Sequence, residues 1–280
     1  MSGLVSESMN RESCHWSLWM TALLLMVLSG CAAGAGTEAT GGASKTSGSN
    51  AVVASSASDP SSDIPNDTRC PSGTQIVPET LKAGSTTSPA ASWGNGRTGV
   101  LLLHQSDGDG MCGWLAHSQA FNDLAHDARF LTFDLCGYGQ AQCAGTETNQ
   151  RQQITAGIDR LQDSGARVIV IVGASLGGYL AVHFGPAAGA DSIISLSGYG
   201  MAGADSFQHD LKRTNQPVLL TTSHADGETR YQDLQDVAKA TGKDFAGFDA
   251  GHGYTMLPEA KATVEEWIRD AAAQSSPTAG

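Results

Sequence analysis

The chain alternates short, nearly uninterrupted apolar runs with segments whose apolar residues recur at three- and four-residue intervals. Six runs read as strands: Arg97–His104, Arg129–Asp134, Arg167–Val172, Ser192–Ser197, Pro217–Thr222 and Asp244–Phe248. Most are continuous rather than alternating, the pattern of strands buried on both faces of a parallel sheet. Helical spacing falls between them. Trp114, Leu115, Phe121 and Leu124 predict a helix over Gly113–Ala125, and Ile154, Ile158 and Leu161 mark another. Gly178–Phe184, Tyr231–Ala240 and Val264–Ala273 complete the set. Strands alternating with helices predict an α/β domain, a mostly parallel sheet with helices on both faces. Ligands of such sheets lie at the carboxyl ends of the strands. Between Ser197 and Pro217 there is room only for a small cap, with one helix around Ser206–Lys212.

The N-terminal region does not share this pattern. Trp16–Leu28 is uncharged and apolar but only 13 residues long, short for a membrane-spanning helix. It ends in Leu28-Ser29-Gly30-Cys31, which resembles a bacterial lipobox. That resemblance implies cleavage before Cys31 and a diacylglycerol on its thiol, hence membrane anchoring outside the cytoplasm. Arg11 is the sole basic residue ahead of it, and Met9 is an alternative start. From Ala32 to Thr68 the chain is mainly Gly, Ala, Ser, Thr and Asp, a tether composition. The expected organisation is a signal peptide over 1–30, a lipidated cysteine and tether over 31–69, and one domain over 70–280.

Cysteine usage agrees with export. With Cys14 removed and Cys31 lipidated, Cys70, Cys112, Cys136 and Cys143 remain, and four cysteines allow three pairings. Cys136–Cys143, closing a short loop, is the favoured pair, and Cys70–Cys112 follows by elimination. No cysteine spacing suits zinc. The formal net charge of −12, or −11 without Glu7, Arg11 and Glu12, argues against nucleic acid or anionic lipid as partner. Asp107-Gly108-Asp109-Gly110 lacks the later ligands of a calcium loop and reads as a pocket rim. No dinucleotide fingerprint follows the first strand, so no cofactor or metal is expected, and a monomer is.

The chemistry concentrates in Gly173-Ala174-Ser175-Leu176-Gly177, placed between a predicted strand and a predicted helix. A G-x-S-x-G string in that context is a nucleophile elbow, which lifts the serine hydroxyl above the sheet edge. From about Gly73 to Ala273 the chain resembles the α/β-hydrolase superfamily, in particular esterases of the dienelactone-hydrolase kind. The resemblance implies the α/β-hydrolase fold and a serine hydrolase, most simply a carboxylesterase. Ser175 is then the nucleophile and His252, between glycines after the last strand, the base. Asp226, after the Pro217–Thr222 strand, is the orienting acid. Asp205 is the alternative acid, and a helix cap is the alternative role for Asp226. Two N–H donors should hold the oxyanion, one from Leu176 and one from Ser106 or Gln105. There the sequence reads His104-Gln105-Ser106 where the superfamily has His-Gly. His104 itself is expected to brace the loop. The expected substrate is a small or polymer-end ester. Peptidase, thioesterase and acyltransferase chemistry share these parts, and a non-catalytic binding protein on this fold is the remaining class.

Overall fold

The computed structural model describes residues 67–145, 147–200 and 204–274. Signal peptide, lipobox, Cys31 and all but the end of the tether therefore lie outside the described residues. Among the described residues eight strands appear in chain order: β1 (Val77–Ala83), β2 (Thr86–Gly94), β3 (Thr98–Leu103), β4 (Ala128–Phe133), β5 (Val168–Ala174), β6 (Ser192–Leu196), β7 (Val218–Ser223) and β8 (Asp244–Phe248). They form one sheet in the order β1-β2-β4-β3-β5-β6-β7-β8. The pairs β1/β2 and β2/β4 are antiparallel, and all the others are parallel. The parallel six are the runs legible in the sequence; the antiparallel pair was not predicted.

Among the described residues six α-helices cover the sheet: α1 (Met111–Ala116), α2 (Glu147–Asp163), α3 (Leu176–Ala188), α4 (Ala204–Arg213), α5 (Glu228–Thr241) and α6 (Leu257–Gln274). Side chains alternate across each strand, so neighbours in sequence join opposite cores. Leu101, Leu103, Ile169 and Ile171 pack with Ile154 and Ile158 of α2, Leu180 of α3, Phe207 of α4 and Leu234 of α5. Val100, Leu102, Val170 and Val172 face the other way, toward Trp114, Phe121, and Val264 and Ile268 of α6. Among the described residues no helix is long and apolar enough to cross a membrane.

One predicted helix is broken. Gly113–Ala125 is instead α1 followed by a 3₁₀ turn, Ser118–Leu124. His117 leaves helical geometry at φ −107°, its ring packs on Tyr254, and the Ser118 hydroxyl donates to the Leu115 carbonyl at 2.8 Å. Both side chains thus support a bend that the apolar spacing alone did not signal.

Both disulfides match the favoured pairing: Cys70–Cys112 and Cys136–Cys143. The first ties the start of the domain to α1. The second closes the loop after β4. Between them lies Asp134, fully buried, which accepts from Arg69 at 2.9 Å, the Met111 N–H at 2.9 Å and the Gln140 N–H at 2.7 Å. A side chain at Gly110 or Gly139 would collide with this carboxylate. Asp134 therefore sets the course of the loops on both sides of it.

Candidate active site

Ser175 sits between β5 and α3 at φ 48°, ψ −109°, a backbone conformation strained for a non-glycine residue by about 1–3 kcal/mol. Flanking glycines permit it. A Cβ on Gly173 would run into the Gly177 backbone, and one on Gly177 into the Leu103 carbonyl, so strand and helix approach as only glycine allows. The Ser175 N–H donates to the Leu196 carbonyl at the end of β6, 2.7 Å away. Its hydroxyl makes no hydrogen bond among the described residues, and the residue as a whole is buried.

Asp226 and His252 come together as the spacing predicts. Asp226 ends a 3₁₀ turn, His224–Asp226, just beyond β7. Its Oδ1 accepts from His252 Nδ1 at 2.5 Å. Its Oδ2 accepts from the Ser197 hydroxyl at 2.6 Å and the Thr222 hydroxyl at 2.9 Å. Burial works to raise the Asp226 pKa, but the hydrogen bonds from His252, Ser197 and Thr222 outweigh it, and the carboxyl stays below the usual aspartate value. Asp226 is no helix cap: Gly227 precedes α5, and no side-chain cap bond is made there. Asp205 lies exposed in the first turn of α4 and Asp249 is exposed as well; neither carboxylate contacts His252.

His252 is held from both sides. Thr255 Oγ1 accepts from its N–H at 2.8 Å, and the Gly253 N–H donates to Ser197 Oγ at 3.2 Å. With Nδ1 donating to Asp226, Nε2 is left as the free lone pair. The side chain remains about 39% exposed, open to a ligand. A Cβ on Gly253 would lie 3.2 Å from that of Ala174, which places the histidine loop beside the elbow.

The loop after β3 completes the rim. His104 is wholly buried; its Nδ1 donates to the Gln105 carbonyl at 2.7 Å and its Nε2 accepts from the Leu135 N–H at 2.9 Å. Burial lowers its pKa, which keeps the ring neutral, as accepting from Leu135 requires. The bracing role read from the sequence is therefore the observed one. Because carbonyl and N–H oppose each other across a trans peptide, the Ser106 N–H points away from His104. Leu176, first residue of α3, carries one of the N–H groups that a helix start leaves without an internal partner. Asp107 is bound by Gln105 Nε2 at 2.8 Å and by the Tyr254 hydroxyl, which links this loop to the histidine loop. Among the described residues the one cluster with metal-ligand geometry is Asp67, Cys70 and Cys112. The disulfide between its cysteines leaves no thiolate to bind an ion.

A second His–Asp contact, His183 to Asp210 at 2.5 Å, joins α3 to α4 and is unrelated to the elbow. Sequence reasoning missed Ser197, Thr222 and Tyr254, and read Asp107 only as part of a pocket rim. Ser197 and Thr222 lie within predicted strand runs, where a hydroxyl looks like ordinary filling. Tyr254 carried a faint signal, two residues from His252.

Sheet order, crossover helices and an elbow after the fifth strand define the α/β-hydrolase fold. No protein-family model and no curated protein matches the sequence, so the likeness is one of structure. An esterase from Pyrococcus furiosus superposes with a TM-score of 0.58 at 15% identity, over 71% of this chain and 91% of that one. The thioesterase domain from the curacin biosynthetic pathway gives 0.54 at 16% identity, over 70% and 99%. Dienelactone hydrolase from Anabaena variabilis gives 0.54 at 15% identity, over 70% and 97%.

Proposed function

We propose that the chain is a serine hydrolase cleaving carboxylic esters, with Ser175 as nucleophile, His252 as general base and acid, and Asp226 as the orienting acid. The observation that carries the reading is the 2.5 Å contact of His252 Nδ1 with the ionised side chain of half-buried Asp226, beside a serine strained into the elbow. His252 Nε2 takes the Ser175 proton as Oγ adds to the ester carbonyl. Charge developing on the carbonyl oxygen is met by the Leu176 N–H and the N–H of Ser106, in the Gln105–Ser106 turn. The imidazolium, stabilised by Asp226, then protonates the leaving alkoxide. Water repeats the sequence on the acyl-enzyme, with His252 as base, and frees the acid. No step needs a metal or cofactor. The small cap, built around the ten-residue α4, favours small or polymer-end esters over long acyl chains. An esterase and a thioesterase domain both share this fold, and relative kcat/KM on matched oxygen and thiol esters separates the two activities. Ser175→Ala should abolish turnover of p-nitrophenyl acetate and butyrate with the melting temperature retained; full activity would end the proposal.

The same proposal places the enzyme outside the cytoplasm, tethered to a membrane through Cys31 and acting as a monomer. Its support is the Leu28–Cys31 string together with two disulfides in the domain. Cys31→Ser should release the protein from membranes or leave it unprocessed. A mature chain beginning anywhere but Cys31 would refute the anchor.

A further inference from the structure

The end of β6 reaches all three groups of the proposed triad. The Leu196 carbonyl accepts the Ser175 N–H at 2.7 Å. The next residue, Ser197, donates its hydroxyl to Asp226 Oδ2 at 2.6 Å. Ser197 Oγ also accepts the Gly253 N–H, immediately after His252, at 3.2 Å. Two adjacent residues thereby fix the nucleophile, the acid and the histidine loop relative to one another. Ser197 N–H is itself anchored to the Thr221 carbonyl at 2.8 Å, in the strand that leads to Asp226.

Ser197 adopts φ 56° and is 2% exposed; Ser175 is the only other non-glycine residue at positive φ among the described residues. A serine there costs backbone strain that glycine would not. Glycine would lack the hydroxymethyl group, whose oxygen donates to Asp226 and accepts from the histidine loop.

We infer that Ser197 is a positioning residue for catalysis, bridging Asp226 to the histidine loop so that the carboxylate presents Oδ1, ionised, to His252 Nδ1. It touches no substrate atom and acts through Asp226 and Gly253. Thr222 supplies the second hydroxyl to Oδ2, at 2.9 Å. The inference rests on the triad reading above and adds a residue to it.

One consequence separates this role from a structural one. Loss of the hydroxyl should lower kcat and leave KM nearly unchanged, because geometry at the base matters most as charge develops.

The test compares Ser197→Ala, which keeps the strain, with Ser197→Gly, which relieves it. Both lack the hydroxyl. Each is assayed on p-nitrophenyl acetate for kcat and KM separately, with melting temperature and the rate of fluorophosphonate labelling at Ser175. Expected are a drop of about 10- to 100-fold in kcat and in labelling rate for both variants, with KM nearly unchanged, the range for a lost hydrogen bond to a charged group. Retention of kcat in Ser197→Gly, with Ser197→Ala merely less stable, would overturn the inference and leave a strain effect. A wild-type protein that is not labelled at Ser175 would instead remove the triad reading itself. Wild-type labelling with an unaffected Ser197→Gly removes only the role of Ser197.

Discussion

Replacing Asp226 by asparagine keeps the shape of the side chain and removes its charge. Three donors converge on the carboxylate: His252 at 2.5 Å, Ser197 at 2.6 Å and Thr222 at 2.9 Å. Asparagine offers one acceptor oxygen and one NH₂. If its oxygen faces the two hydroxyls, the NH₂ faces His252 and forces the tautomer with hydrogen on Nε2, so the base cannot accept from Ser175. If it is flipped, Ser197 and Thr222 must turn their hydroxyls and the imidazolium still lacks its counter-charge. In a serine protease the equivalent change lowers kcat about 10⁴-fold, roughly 5.5 kcal/mol in barrier, and the same order is expected here. Stability should fall by about 2 kcal/mol, or about 5 °C in melting temperature for a domain of this size. Asp205→Asn is the matched control: its carboxylate is exposed at the start of α4 and should change neither quantity measurably. Turnover of p-nitrophenyl acetate at pH 7–8 and melting curves decide the matter. A silent Asp226→Asn beside a crippled Asp205→Asn would refute the assignment and move the acid to the earlier strand.

Peptide mapping without reductant should recover Cys70 with Cys112 and Cys136 with Cys143, and no free thiol in the domain. Opening the pairs with serine should cost about 3.9 and 2.4 kcal/mol respectively in the loop-entropy account, read as midpoint shifts in urea. His104 gives a pH signature. Burial lowers its pKa below the unfolded value of about 6.5, so the unfolded chain binds the extra proton and stability falls as pH drops below that value. Unfolding free energies from pH 7.5 to 5 should therefore decline more steeply in the wild type than in His104→Gln. Equal slopes would show that the ring is not held neutral.

The parallel half of the sheet was legible because its strands are buried on both faces, and continuous Val, Ile and Leu leave little alternative. β1 and β2 were not, for reasons visible in Thr86–Gly94. Pro89, Ala90 and Ala91 stand where β-branched residues would announce a strand. That segment extends through pairing with β1 and β4, information no local window holds. Ser175, Asp226 and His252 were legible as types at fixed places after strands. Their supports were not. Ser197 meets Asp226 only once β6 and β7 lie side by side, Thr222 meets it through the turn that leaves β7, and Asp107 meets Tyr254 across 147 positions of chain. The turn after β3 falls between: its location follows from the strand, whereas its orientation depends on His104 grasping the Gln105 carbonyl.

The central claim is that Ser175 is a nucleophile activated by His252, and covalent capture tests it most directly. The folded protein should take up one fluorophosphonate per chain. Peptide mass analysis should place the adduct on Ser175, with uptake abolished in Ser175→Ala and strongly slowed in His252→Ala. An unlabelled wild-type protein, or an adduct on any other residue, would contradict the account.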